Sequence, residues 1–167
     1  KRDIFTKKRH RAIKEFLLKD LKYKSSWKKS EGERELKIYR SGIVDILETT
    51  RRRDKEILYD IYEIKTAPRE VDRGIGQLLR YRINFVKKNH SPVGVFLVLP
   101  YDVYMKYREK NQLIEYMLTE LDIGLLISHE NRFDLAVPAT EYSEENIPKL
   151  FTSTIDFFKG DVILQTI

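Results

Sequence analysis

The chain has no cysteine among its 167 residues. That excludes disulfides, zinc–thiolate sites and cysteine-ligated iron–sulfur clusters. No stretch approaches the ~20 consecutive apolar residues of a membrane span. The basic N-terminal segment offers only Phe16-Leu17-Leu18 where a signal peptide carries its apolar core. A soluble, cytoplasmic protein with no membrane partner is the expectation. Glycine is also sparse, and Gly74 and Gly76 form the sole G-x-G. No phosphate-loop lysine follows it, so no nucleotide cofactor is expected. His90 and His129 sit in polar turns without a nucleophilic serine at a telling spacing, which leaves a Ser-His-Asp reading without support. Glutamine and asparagine are few (three and five) against 35% charged residues. That balance is found in thermophilic chains.

What is present is charge, unevenly spread. Residues 1–29 carry twelve Lys/Arg against three Asp/Glu, and residues 109–167 carry four against eleven. A net charge of +6 thus conceals a basic N-terminal half and an acidic C-terminal end. Such asymmetry suits a polyanion meeting the basic half. The length fits one domain, residues 1–167, and 41% apolar residues fill one core. Within it we expect a basic arm over 1–8, a core over 9–99 and a C-terminal helical and hairpin elaboration over 100–167.

The informative stretch is Ser41 to Tyr81. Gly42-Ile43-Val44-Asp45 and Glu63-Ile64-Lys65 lie in apolar, β-branched runs that read as strands. Side chains at i and i+2 of a strand share a face, so Glu63 and Lys65 project together. If the two runs pair as a hairpin through the polar segment 50–56, Asp45 faces Glu63 across the strands. Two carboxylates that close need a cation between them. A hard divalent ion such as Mg²⁺ suits oxygen ligands and keeps several waters. Ile75, Leu78, Leu79, Ile83 and Val86 then follow at helical spacing. Gln77 and Tyr81, four apart, share one face of that helix.

The order G-x-x-D, E-x-K, Q-x-x-x-Y, over roughly Arg9 to Leu99, resembles the PD-(D/E)XK nuclease superfamily. The trailing motif is similar to its RecB-like branch, and archaeal Holliday-junction resolvases share the fold. The lack of cysteine departs from the CRISPR-associated members of that branch that hold a cysteine-bound cluster. The resemblance implies a restriction-endonuclease-like α/β fold, a mixed central sheet flanked by helices with an α-β-β-β-α-β core. It implies metal-dependent hydrolysis of DNA, with Asp45 and Glu63 as ligands of Mg²⁺ (Mn²⁺ as substitute) and Lys65 as the catalytic lysine. Gln77 and Tyr81 would stand at the edge of the site. The first helix often supplies a further acid and an early motif a histidine. Glu15 is the favoured third ligand, ahead of His10 as an accessory residue, with Glu33 and Glu35 as rivals. A junction resolvase would need a homodimer for two symmetric nicks, and an inactive nucleic-acid-binding module is the other alternative.

Other elements follow from pattern. A helix is expected over 7–22 with Ile13, Phe16, Leu17 and Leu21 buried, and a strand over 35–40. Trp27, among lysines, reads as a core or rim residue. Arg51, Arg52 and Arg53 form the hairpin tip, where they offer phosphate contacts or break up an exposed edge. Arg73, Arg80 and Arg82 add basic charge near the site. Val93 to Leu99 reads as a strand buried on both faces, parallel to the Glu63 strand across the intervening helix. One long helix is expected over 101–121, with Tyr104, Leu113, Tyr116, Met117 and Leu121 in the core. A hairpin follows over 123–137. A last helix is expected over 144–158, and an edge strand or dimer contact over 162–167.

Overall fold

A computed structural model describes residues 4–23, 27–28, 33–37 and 44–147. Helix α1 spans Ile4–Lys22, so residues 4–8 belong to the helix rather than to a basic arm. Three strands follow: β1 (Glu33–Lys37), β2 (Ile46–Arg51) and β3 (Ile57–Ile64). Helix α2 (Val71–Asn89) leads to β4 (Val93–Pro100). Helices α3 (Tyr101–Lys110) and α4 (Ile114–Glu120) precede β5 (Ile123–Ser128) and β6 (Phe133–Val137). The expected α-β-β-β-α-β order is the observed one. The parts of the last helix and of the terminal strand expected beyond residue 147 lie outside the described residues, as do Gly42 and Ile43 and the side chains of Glu33 and Glu35.

The six strands form one mixed sheet in sequence order. The hairpin β2–β3 is antiparallel, with Ile46 opposite Tyr62 and Arg51 opposite Ile57. Strands β3, β4 and β5 run parallel, and β6 closes the sheet antiparallel to β5. Parallel strands need crossovers, which α2 and the α3–α4 pair supply. These helices cover one face, packing Val71, Ile75, Leu78, Tyr104, Ile114 and Leu118 against Leu47, Ile61, Val95, Leu97 and Leu125. Helix α1 covers the other, packing Ile13, Leu17 and Leu21 against Ile46, Tyr62, Ile64, Val98 and Leu126. Every residue of β4 and of β5 is buried, as a doubly covered strand requires. Among the described residues no helix is long and apolar enough to cross a membrane.

The single long helix expected over 101–121 is two helices. Asn111 interrupts it: its side-chain amide donates to the Tyr107 carbonyl at 3.1 Å, and its backbone leaves the helical region with φ −135°. A side chain that bonds to backbone in this way competes with helix continuation. The interruption resets the phase of the buried stripe. Leu113 and Tyr116 are 73% and 67% exposed, and Met117 is exposed too, while Val103, Tyr107, Ile114 and Leu118 are buried.

On the α1 face of the sheet, Trp27 packs edge-on against Tyr62 and Phe96 at 6.2 and 5.7 Å between centroids. Its indole N–H donates to Asp20 at 2.7 Å. The neighbouring Lys28 ammonium bridges the buried carboxylates of Glu48 and Asp60. Burial pushes the Asp60 carboxyl upward, against the pull of the Lys28 charge. Gly94 gives Asp60 room, since a Cβ there would stand 2.4 Å from Asp60 Oδ1. Removing the shared cation takes that countercharge from two buried acids, so Lys28→Ala is expected to destabilise the fold by about 3 kcal/mol in denaturant unfolding. A loss under about 1 kcal/mol would mean that the bridge is solvent-screened.

Candidate functional site

The end of β3 concentrates the chemistry. Continuing the β2–β3 register one step beyond Ile46 and Tyr62 sets Asp45 opposite Glu63. The Asp45 carboxylate turns over the strand end, and its Oδ2 accepts the Ile64 backbone N–H at 2.7 Å. Its Oδ1 lies 3.1 Å from His10 Nε2, on α1. Lys65 follows directly on β3, its backbone N–H donating to the Val98 carbonyl of β4 at 3.1 Å. Its ammonium stands 3.3 Å from Glu63 Oε1, with only 2% of the side chain exposed. Period two on one strand and one cross-strand register thus assemble two carboxylates and a lysine.

Electrostatics at the pair are asymmetric. Burial, followed by the nearby Asp45 charge, pushes the Glu63 carboxyl up to about 7, and Lys65 and His10 offset only part of this. Burial also works to raise Asp45, but there the hydrogen bond and charge of His10, the Ile64 amide and the Lys14 charge prevail and hold it below the usual range. The pair therefore divides into one carboxylate ionised throughout the neutral range and one poised to exchange a proton within it.

Helix α2 closes the other side. Its first turn packs on Lys65 through Gly74, where a Cβ would stand 2.8 Å from Lys65 Cγ. Gln77 and Tyr81 lie further along. Burial and the charge of Glu63 push the Tyr81 hydroxyl upward, and Arg80 and Arg73 oppose that shift. Tyr81 thus lies within electrostatic reach of the acids, and Arg80 and Arg73 within reach of Tyr81. Gln77 Oε1 and Glu63 Oε2 are buried without a hydrogen-bond partner among the described residues.

Other candidates stand elsewhere. Glu15 is exposed, five residues and so roughly 140° around the helix from His10. The first helix meets the acid pair through His10 and Lys14, not through Glu15, because its phase is set by the buried Ile13, Leu17 and Leu21. Arg51, Arg52 and Arg53 lie at the far end of the β2–β3 ladder, roughly 20 Å from the acids at strand spacing. Arg52 is also engaged by Glu56 and Glu141. Arg82 is buried on another face of α2, where it donates to the Leu121 carbonyl at 2.7 Å and lies 4.3 Å from the Tyr142 ring centroid. Sequence reasoning misses Lys14 and Gly74. Lys14 is one turn from His10 on the same face, and a glycine in the first turn of a helix signals close packing.

The donor set fits a hard divalent cation. It is oxygen-only, with one carboxylate oxygen buried and unpartnered. Among the described residues no group of three His, Asp or Glu side chains is placed to hold an ion, so Asp45 and Glu63 are the two side chains that could contribute to one.

No family model and no curated protein matches the chain. Among solved structures it is similar to an XisH family protein from Nostoc punctiforme PCC 73102, 19% identical over 75% of this chain and 94% of that one, with a TM-score of 0.45.

Two outcomes test the site's physics. An unfolded glutamate ionises near 4.5 and folded Glu63 near 7, so between those values the native state holds one more proton than the unfolded one. Stability without metal should then fall as pH rises through that window, by on the order of 3 kcal/mol. Glu63→Gln should remove that share of the slope, and an unchanged slope would contradict the assignment. Gly74→Ala should push Lys65 out of place, whereas Gly76, with open space around it, should accept alanine with a gain of up to about 1 kcal/mol in helix stability. Thermal melts that rank the two variants equally would remove Gly74 from the account.

Proposed function

We propose that the protein is a metal-dependent nuclease that hydrolyses phosphodiester bonds of DNA, of the PD-(D/E)XK type with the RecB-like Q-x-x-x-Y signature. The observation that carries this reading is the pairing of Asp45 with Glu63 beside a buried Lys65 at the end of a central strand. Burial, with the Asp45 charge added to it, drives Glu63 to about 7, an arrangement that a cation between the two acids would relieve.

Asp45 and Glu63 would hold Mg²⁺, which supplies Lewis acidity toward a phosphate oxygen and makes water a stronger acid. Asp45 is the fixed anion, anchored by the Ile64 amide and the His10 ring. Glu63, which without metal exchanges a proton near neutral pH, would be held ionised as a ligand once the cation is bound. Lys65, its stem packed on Gly74, holds its ammonium where it can orient the attacking water or neutralise the phosphorane-like transition state. His10 positions Asp45. Arg73 and Arg80, exposed on α2, supply sequence-independent phosphate contacts.

The test is single-turnover cleavage of linear and circular DNA with saturating Mg²⁺ and with EDTA. Asp45→Ala and Glu63→Ala should abolish metal-dependent cleavage without loss of fold. Lys65→Ala should reduce it by about 10²-fold or more, the scale of one positioned acid–base or electrostatic group. Lys65→Arg keeps the charge with a different shape, so recovery with arginine assigns an electrostatic role. Wild-type rates in Lys65→Ala would reject the mechanism.

A further inference from the structure

At the carboxyl ends of β4 and β5, against α1, lies an open cavity of about 490 Å³. Its position relative to the proposed chemistry is fixed by α1. Arg9 lines the cavity, and the next residue, His10, touches Asp45. Successive side chains of a helix diverge by about 100°, so α1 borders the cavity with Arg9 and the acid pair with His10.

The lining specifies what would enter. The floor is apolar, with Ile13 and Phe16 from α1, and Phe16 is itself held by stacking on Phe133 at 4.9 Å. One wall is Tyr101, a ring 50% exposed and tilted against His129 at 5.2 Å. An aromatic ring left half in water beside an apolar floor is a stacking platform. The polar rim is acidic. Asp102 and Glu130 line it, and the guanidinium of Arg9 is already forked onto Asp102, one arm at 2.9 Å. A phosphate would meet net negative charge there. A flat heterocycle with amino groups would find a stacking face and carboxylate acceptors, the pairing by which Asp and Glu receive the amino group of cytosine.

We propose that this cavity receives one unpaired nucleobase of a bound DNA strand, with amino-bearing bases preferred over thymine. The inference rests on the nuclease reading and narrows its substrate to single-stranded or frayed DNA, because a base inside a duplex cannot reach a lateral pocket without unstacking.

The experiment uses the full chain in EDTA with two oligonucleotides, all-thymidine and thymidine with one central 2-aminopurine. The expected result is tighter binding of the aminopurine strand, with its fluorescence quenched on binding. Tyr101→Ala, at an exposed position, and Ala12→Leu, which fills the cavity from the exposed face of α1, should each weaken that binding by about five- to hundredfold and restore fluorescence. Equal binding of the two strands, or unchanged quenching in both variants, overturns the inference. Wild-type cleavage with Mg²⁺ is measured in parallel. Cleavage without a base signal overturns the pocket and leaves the nuclease reading standing, whereas a base signal without cleavage supports base binding and overturns hydrolysis.

Discussion

Everything at the end of β3 follows from holding two carboxylates together. Asp45 and Glu63 face each other because the β2–β3 hairpin is in register, and neither can retreat into solvent. Asp45 is tied to the Ile64 amide, and Glu63 is buried beneath α2. Like charges so placed are unfavourable in a fold whose whole margin is on the order of 10 kcal/mol. The surrounding basic side chains answer that repulsion unequally. His10 and Lys14 serve Asp45, while Lys65 serves Glu63 and leaves it with a free oxygen. The residual strain is localised on one group, and a divalent ion is the species that would remove it.

The architecture makes that arrangement affordable by burying it at a rigid place. Strand β4 is covered on both faces and runs parallel to β3 on one side and β5 on the other. Its Val98 carbonyl holds the Lys65 backbone, so the lysine is positioned by the sheet rather than by a loop. Helix α2 contributes its first turn at the same level. The two helical layers approach each other at the strand end, with α1 bringing His10 and α2 bringing Gly74, Gln77 and Tyr81. A second charged cluster, Lys28 with Glu48 and Asp60, lies on the opposite face of the same strands. There the cation is a lysine side chain, fixed by the adjacent Trp27 packing. The contrast between a closed cluster and an open one separates structural acids from candidate reactive ones.

Much of this is legible in the residues. Period two gives Glu63 and Lys65 a common face, polar residues 50–56 mark the hairpin, and the apolar run from Val93 marks a doubly covered strand. The observed element order, the parallel β3–β4 pair and the β5–β6 hairpin follow from such local signals. What is not legible is phase set by tertiary packing. On a bare helix Glu15 is favoured over His10, and only the docking of Ile13, Leu17 and Leu21 reverses that order. The break at Asn111 contains no proline or glycine, so periodicity runs through it and assigns Leu113, Tyr116 and Met117 to the core. The distance of Arg51, Arg52 and Arg53 from the acids is a different case. It follows from the hairpin itself, whose tip is remote from the ends of its strands.

The central claim is that Asp45 and Glu63 form one divalent-cation site in which Glu63 must shed a proton. Calorimetric titration with Mg²⁺ in two buffers of different ionisation enthalpy measures the protons released per ion bound. With Glu63 at about 7, the account predicts release of most of one proton near about pH 6 and close to none near about pH 9. Binding with no proton release at the lower pH, or no binding at either, would contradict it.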